Sequence, residues 1–192
     1  MGKDRLAAFS DGVIAILITI MVLELHVPRG ADLAALESIW PSLLSYILSF
    51  VYLGIYWNNH HHLLHTVTRV DGLILWANLD LLFWLSLIPA ATAWMGQNLA
   101  QPLPTALYGV SLLLPAIAYH LLVLAIIRRH GADSMLAKAI GSDIKGKISP
   151  VLYIAGIALA FFAPWVSIAL YVLVAVLWLV PDPRIENLID RE

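Results

Sequence analysis

The 192-residue chain has no cysteine, which excludes disulfides, thiolate chemistry and cysteine metal ligands. It is also poor in charge: only 12% of its residues are Asp, Glu, Lys or Arg, where a soluble domain carries about 25%. The net charge is −2 and no basic run stands out, which argues against a nucleic-acid partner. No Ser/His/Asp or phosphate-cradling arrangement occurs, so nothing points to an enzyme. The chain is instead dominated by apolar residues. A hydrophobic content of 61% and a mean hydropathy of +0.85 mark an all-α integral membrane protein.

A bilayer core of about 30 Å takes about 20 apolar residues per helix, with about 17 as a lower limit. Segments 5–25, 39–62, 72–95 and 104–127 meet that requirement. Pro41 falls in the first turn of the second, where a missing N–H is tolerated, and Asp71 is placed to cap the third. Pro89 and Pro115 predict kinks. Ile148 to Pro181 is a run of 34 residues without a charge. One helix of that length would extend ~51 Å, so a break at Ala163-Pro164 is expected, giving spans 148–163 and 164–181. The reading is a single six-helix transmembrane domain over residues 1–192.

With a cytosolic N-terminus, Lys3, Arg5, Arg69, Arg128, Arg129, Lys138, Lys145, Lys147, Arg184 and Arg191 fall inside and only Arg29 outside. That bias matches the positive-inside rule and places both termini in the cytosol of a multi-pass cell-membrane protein. Trp40, Trp94 and Trp165 then lie near the outer interface, and Trp57, Trp76 and Trp178 near the inner one. The first span carries Asp11, ends in Glu24 and lacks a small-residue cleavage pattern, so it is expected to be retained.

That first span is the most informative stretch. It opens R-x-x-x-F-S-D-G and then runs almost purely apolar. An Asp in a hydrocarbon-spanning helix costs at least ~2.5–3.5 kcal/mol, so Asp11 marks a functional or assembly site. At 100° per residue, Arg5, Phe9, Gly12, Ile16, Ile20 and Leu23 fall along one line, with Thr19 at its edge and Asp11 about 140° from Ile16. An apolar stripe alone is commonplace packing. One copy of this helix cannot enclose a pore, whereas several symmetric copies can, which implies a homo-oligomer.

The motif R-x-x-x-F-S-D (Arg5, Phe9, Ser10, Asp11) before an apolar helix, with W-x-x-H-H (Trp57, His60, His61) closing the second span, resembles the transmembrane protein 175 family of potassium channels. The resemblance extends over the whole chain. It implies a homotetramer of six-helix subunits in the lipid bilayer, with the first helix lining a central pore that conducts K⁺ passively and without a cofactor. It also implies an apolar constriction rather than a carbonyl filter, in keeping with the absence of a T-V-G-Y-G-like loop. The constriction maps onto Ile16, with Ile20 and Leu23 one and two turns outward and the family's hydroxyl residue at Thr19. Glu24 is placed either to ring the outer mouth with negative charge or to end the helix in solvent.

Asn58-Asn59-His60-His61-His62 with His65 allows two readings. His61 and His65 are four apart, a spacing that can hold zinc. The reading preferred here assigns no metal: the cluster closes the cytosolic end of the second span, and histidines with Asn78 bind Arg5, Ser10 and Asp11. Asp80 lies ~13 Å into the third span, with Asn78, His60 or His61 as candidate partners. The alternative function is a proton-coupled or metal-ion transporter using Asp80 and the histidines.

Overall fold

Leu6, Ser10, Ile14, Leu17 and Met21 recur every three or four residues and are the buried face of the first helix, α1 (Lys3–Leu23). The computed structural model describes residues 2–28, 30–131, 136–137 and 144–179, and every regular element among them is helical. A short helix the sequence reading did not foresee, α2 (Leu33–Ser38), follows in the connection, where the Asp32 carboxylate accepts the Ala35 N–H at 2.9 Å. Helix α3 (Trp40–His65) has Pro41 in its opening turn. Asp71 caps the next helix, α4 (Gly72–Ser86), by accepting the Ile74 N–H at 3.0 Å.

The third expected span is not one helix. It divides at Leu87 into α4 and α5 (Ile88–Gln97). Pro89 has no N–H to donate and its ring crowds the carbonyl four residues back, so the α-helical ladder is interrupted there. The Leu87 N–H bonds instead to Trp84, three residues back, at 3.3 Å. Pro115, by contrast, lies within a continuous α6 (Pro102–His130). That helix stops at Gly131, whose φ of +95° suits a residue without a Cβ.

Helices α7 (Ile144–Leu159) and α8 (Pro164–Leu179) are joined by a turn in which the Ala163 N–H reaches the Leu159 carbonyl at 2.7 Å. Helix α7 begins earlier than the expected fifth span, and Pro150 lies inside it. Arg29, Lys138, Arg184 and Arg191, on which part of the charge argument rests, and positions 180–181 of the sixth span lie outside the described residues.

Two cores hold the helices together. One gathers Leu6, Ile14, Leu17 and Met21 of α1 with Leu53, Ile74, Leu81, Leu85 and Leu122. The other surrounds Tyr52, Tyr108, Tyr153 and Tyr171, joining α3 and α5 to α6, α7 and α8. Tyr171 lies against two glycines. A Cβ on Gly109 would overlap its hydroxyl, and one on Gly156 would come within 2.5 Å of its ring. Gly109→Ala is therefore expected to cost about 1–3 kcal/mol by overpacking. Thermal melting of the purified protein should show a lowered midpoint for this variant and none for Gly54→Ala, where a Cβ meets nothing within 4 Å.

Large apolar side chains also cover the outside, including Trp76, Phe83, Val151, Phe162, Trp165 and Val176. Water does not tolerate so continuous an apolar surface on a lone soluble chain, whereas lipid does. Lys3–Leu23, Gly72–Gln97 and Pro102–His130 are each long and apolar enough to cross a membrane, and Pro164–Leu179 is a shorter apolar helix. The fold is that of an all-α, multi-pass membrane protein.

Candidate functional site: the two faces of α1

On its inner face α1 is fastened by buried polar groups. Ser10, Asn78 and His60 are each essentially inaccessible. The His60 Nε2–H donates to Asn78 Oδ1 at 2.7 Å, and Asn78 Nδ2 donates to Ser10 Oγ at 3.0 Å. The Ser10 hydroxyl donates on to the Leu6 carbonyl at 3.0 Å. The amide has one acceptor end and one donor end, so this wiring fixes both its orientation and the imidazole tautomer. One chain of bonds thus links α3, α4 and α1. His60 Nδ1 is buried without a partner among the described residues.

Asp11 does not bind a histidine or an asparagine. Its carboxylate accepts the Trp57 indole N–H at 3.0 Å, a second tie between α1 and α3. Arg5 is exposed rather than part of the buried network. Asp80 likewise departs from the expectation. It pairs with neither Asn78 nor the histidines, because Asn78 already serves His60 and Ser10, and it accepts the Trp84 indole N–H one turn on at 3.1 Å. Among the described residues no three metal-ligating side chains converge.

The outer face of α1 has no covering in the single chain. Ile16, Ile20 and Leu23 are 56%, 41% and 79% exposed, and Phe9, Gly12 and Thr19 share that face. Thr19 donates its hydroxyl to the carbonyls of Ala15 at 3.1 Å and Ile16 at 2.9 Å. Its proton is thereby occupied within the helix, and its oxygen lone pairs are free to accept from water or ligate a cation. Glu24 ends the helix and is exposed, with its backbone carbonyl 3.1 Å from His26 Nδ1.

Sequence reasoning missed two polar devices. His130 donates from Nδ1 to the Ile126 carbonyl at 2.9 Å, while its Nε2 accepts the N–H groups of Thr68 and Arg69 at 3.2 and 3.4 Å. It thereby satisfies the connection between α3 and α4, beside the Arg129–Asp71 ion pair at 3.5 Å. Deeper in the bundle, Tyr108, Ser49 and Thr92 are joined at 2.8 and 2.7 Å across α6, α3 and α5, and Thr92 donates on to the Ile88 carbonyl. Neither has a motif. For Ser49, Thr92 and Tyr108 the available signal was a polar group in an apolar run, which says that a partner exists and not which one, and His130 at the polar helix end gave no signal.

Fold and site together define a membrane-embedded helical protein whose first helix is bonded into its own bundle on one side and uncovered on the other. A family model described as endosomal/lysosomal potassium channel TMEM175 matches residues 5–89. A potassium channel of Chryseobacterium sp. (strain P1-3) is 57% identical over 187 residues, covering 97% of each chain. One from Chamaesiphon minutus is 32% identical over 189 residues, covering 90% of this chain and 91% of that one. The crystal structure of a lysosomal potassium-selective channel TMEM175 homolog from Chamaesiphon minutus matches with a TM-score of 0.80 at 30% identity, over 93% of this chain and 96% of that one. The chain belongs to the TMEM175 family, a family of ion channels and not of enzymes.

Proposed function

We propose that four copies of this chain form a potassium-selective channel conducting passively through a central pore lined by α1. The observation that carries the reading is the division of α1 into a bonded face and an exposed stripe of Ile16, Ile20, Leu23 and Thr19. A closed symmetric assembly brings such stripes to a common axis. Three apolar rings then stack at intervals of four and three residues, and a narrow apolar ring gates by dewetting. Thr19 oxygens offer lone pairs beside the Ile16 ring, and Glu24 carboxylates concentrate cations at the mouth. The six spans are α1, α3, the α4–α5 pair, α6, α7 and α8, with both termini in the cytosol of a cell-membrane protein. Arg5, Phe9, Ser10, Asp11, Trp57, His60, His61 and Asn78 serve assembly. The potassium channels of Chryseobacterium and Chamaesiphon minutus support the ion assignment. A transporter built on Asp80 and the histidines gains no support, since Trp84 holds the carboxylate and Asn78 holds His60.

Purified protein reconstituted in liposomes tests this directly. A K⁺ gradient should drive ionophore-like potential changes that an equal Na⁺ gradient does not, and cross-linking in the same bilayers should give a tetramer. Activity from a monomer, or uptake that requires a proton gradient, would overturn the proposal.

A further inference from the structure

The histidine run at the end of α3 divides by direction. His60 faces inward to Asn78, whereas His61 and His65 are both exposed one turn apart, their ring centroids 4.5 Å from each other. Two imidazoles bound cis to one ion through bonds of about 2.0–2.1 Å hold their centroids roughly 4.5–5 Å apart, so side-chain rotation alone can bring the ring nitrogens to a common point. We propose that His61 and His65 bind one divalent transition-metal ion of the Zn²⁺, Ni²⁺ and Cu²⁺ class, with water completing its shell. Imidazole favours these metals over Mg²⁺ and Ca²⁺. Both ligands lie in the closing turns of α3, where the negative end of the helix favours a cation. Lys3 opposes it, with Nζ 3.5 Å from the His65 carbonyl, so the site is one of moderate rather than tight affinity.

The site is linked to α1 at two points. The His61 ring lies 6.2 Å from that of Trp57, whose N–H is held by Asp11, and Lys3 reaches the His65 carbonyl. An ion that fixes both histidines stiffens the seat of Trp57 and hence the anchor of α1. On the channel reading, on which this second step rests, occupancy lowers K⁺ flux.

The test uses tag-free protein in nanodiscs, titrated with Ni²⁺ alone, with equilibrium dialysis for binding and tryptophan emission as the local readout. One Ni²⁺ per chain is expected, with quenching that Trp57→Phe largely removes while binding persists. His61→Ala and His65→Ala should each weaken binding about tenfold or more, and His26→Ala and His120→Ala should not. Unchanged affinity in both His61→Ala and His65→Ala overturns the site. In liposomes, Ni²⁺ should reduce K⁺ flux in the parent protein and not in His65→Ala. Full binding with unaltered flux overturns the coupling to α1. A protein that conducts no K⁺ without metal defeats the channel reading, and the dialysis result still decides the site by itself.

Discussion

Replacing Ile16 with Asn is expected to raise K⁺ conductance about tenfold or more, a barrier reduction of about 1.4 kcal/mol, and to erode the preference for K⁺ over Na⁺. The reason is hydration. A cation passing an apolar ring sheds water and gains no ligand, and an amide from each copy supplies both donor and acceptor at that point. Sodium holds its water more tightly than potassium, so a wetter ring benefits sodium more. Conductance and reversal potential in planar bilayers measure both effects. By helical angle alone Met21, about 140° from Ile16, is a natural control, but it is 2% exposed in the core beneath α1, and Met21→Asn would bury an unpaired amide. Val22 is exposed and about 120° from Ile16, so Val22→Asn is the informative comparison. Equal effects at Ile16 and Val22, or none at Ile16, would remove the hydrophobic-constriction mechanism.

Asn78→Leu is expected to have the largest effect on assembly. It deletes the acceptor for His60 Nε2–H and the donor to Ser10 while keeping side-chain volume. Each buried group so stranded costs about 1–3 kcal/mol, and no water is available in a bilayer to replace the lost partner. His60 Nδ1 has no partner among the described residues, so the variant leaves both ring nitrogens without one there. Size-exclusion chromatography should show loss of the oligomer, and the melting midpoint should fall. Asp11→Ala should also lower oligomer yield, but less, because Trp57 is 46% exposed and its freed N–H can turn to water at the membrane surface. An Asn78→Leu protein that melts with the parent would show that the buried chain of bonds is not what seats α1.

The sequence alone determined the class of the protein, the approximate course of its long helices and the two faces of α1, but not α2 or the break at Leu87. Those are local properties: a span is a run of apolar residues, its ends are marked by Pro41, Asp71 and Gly131, and a face follows from a 100° step. The stripe of Ile16, Ile20 and Leu23 and the opposed position of Asp11 were legible for that reason. So, in principle, was the Asp80–Trp84 bond, since the two residues are one turn apart on α4. Pairing between helices was not legible. That Asp11 meets Trp57 rather than a histidine, that Asn78 rather than Asp80 receives His60, and that His130 closes a distant connection all depend on helix registry. Registry is decided where a neighbouring helix closes directly onto a glycine, as the Tyr171 ring does on Gly109 and Gly156 and the Ser42 backbone does on Gly96. A slide of one turn, about 5.4 Å, would change every polar partner while leaving each helix's own pattern untouched, which is why only the tertiary structure could assign them.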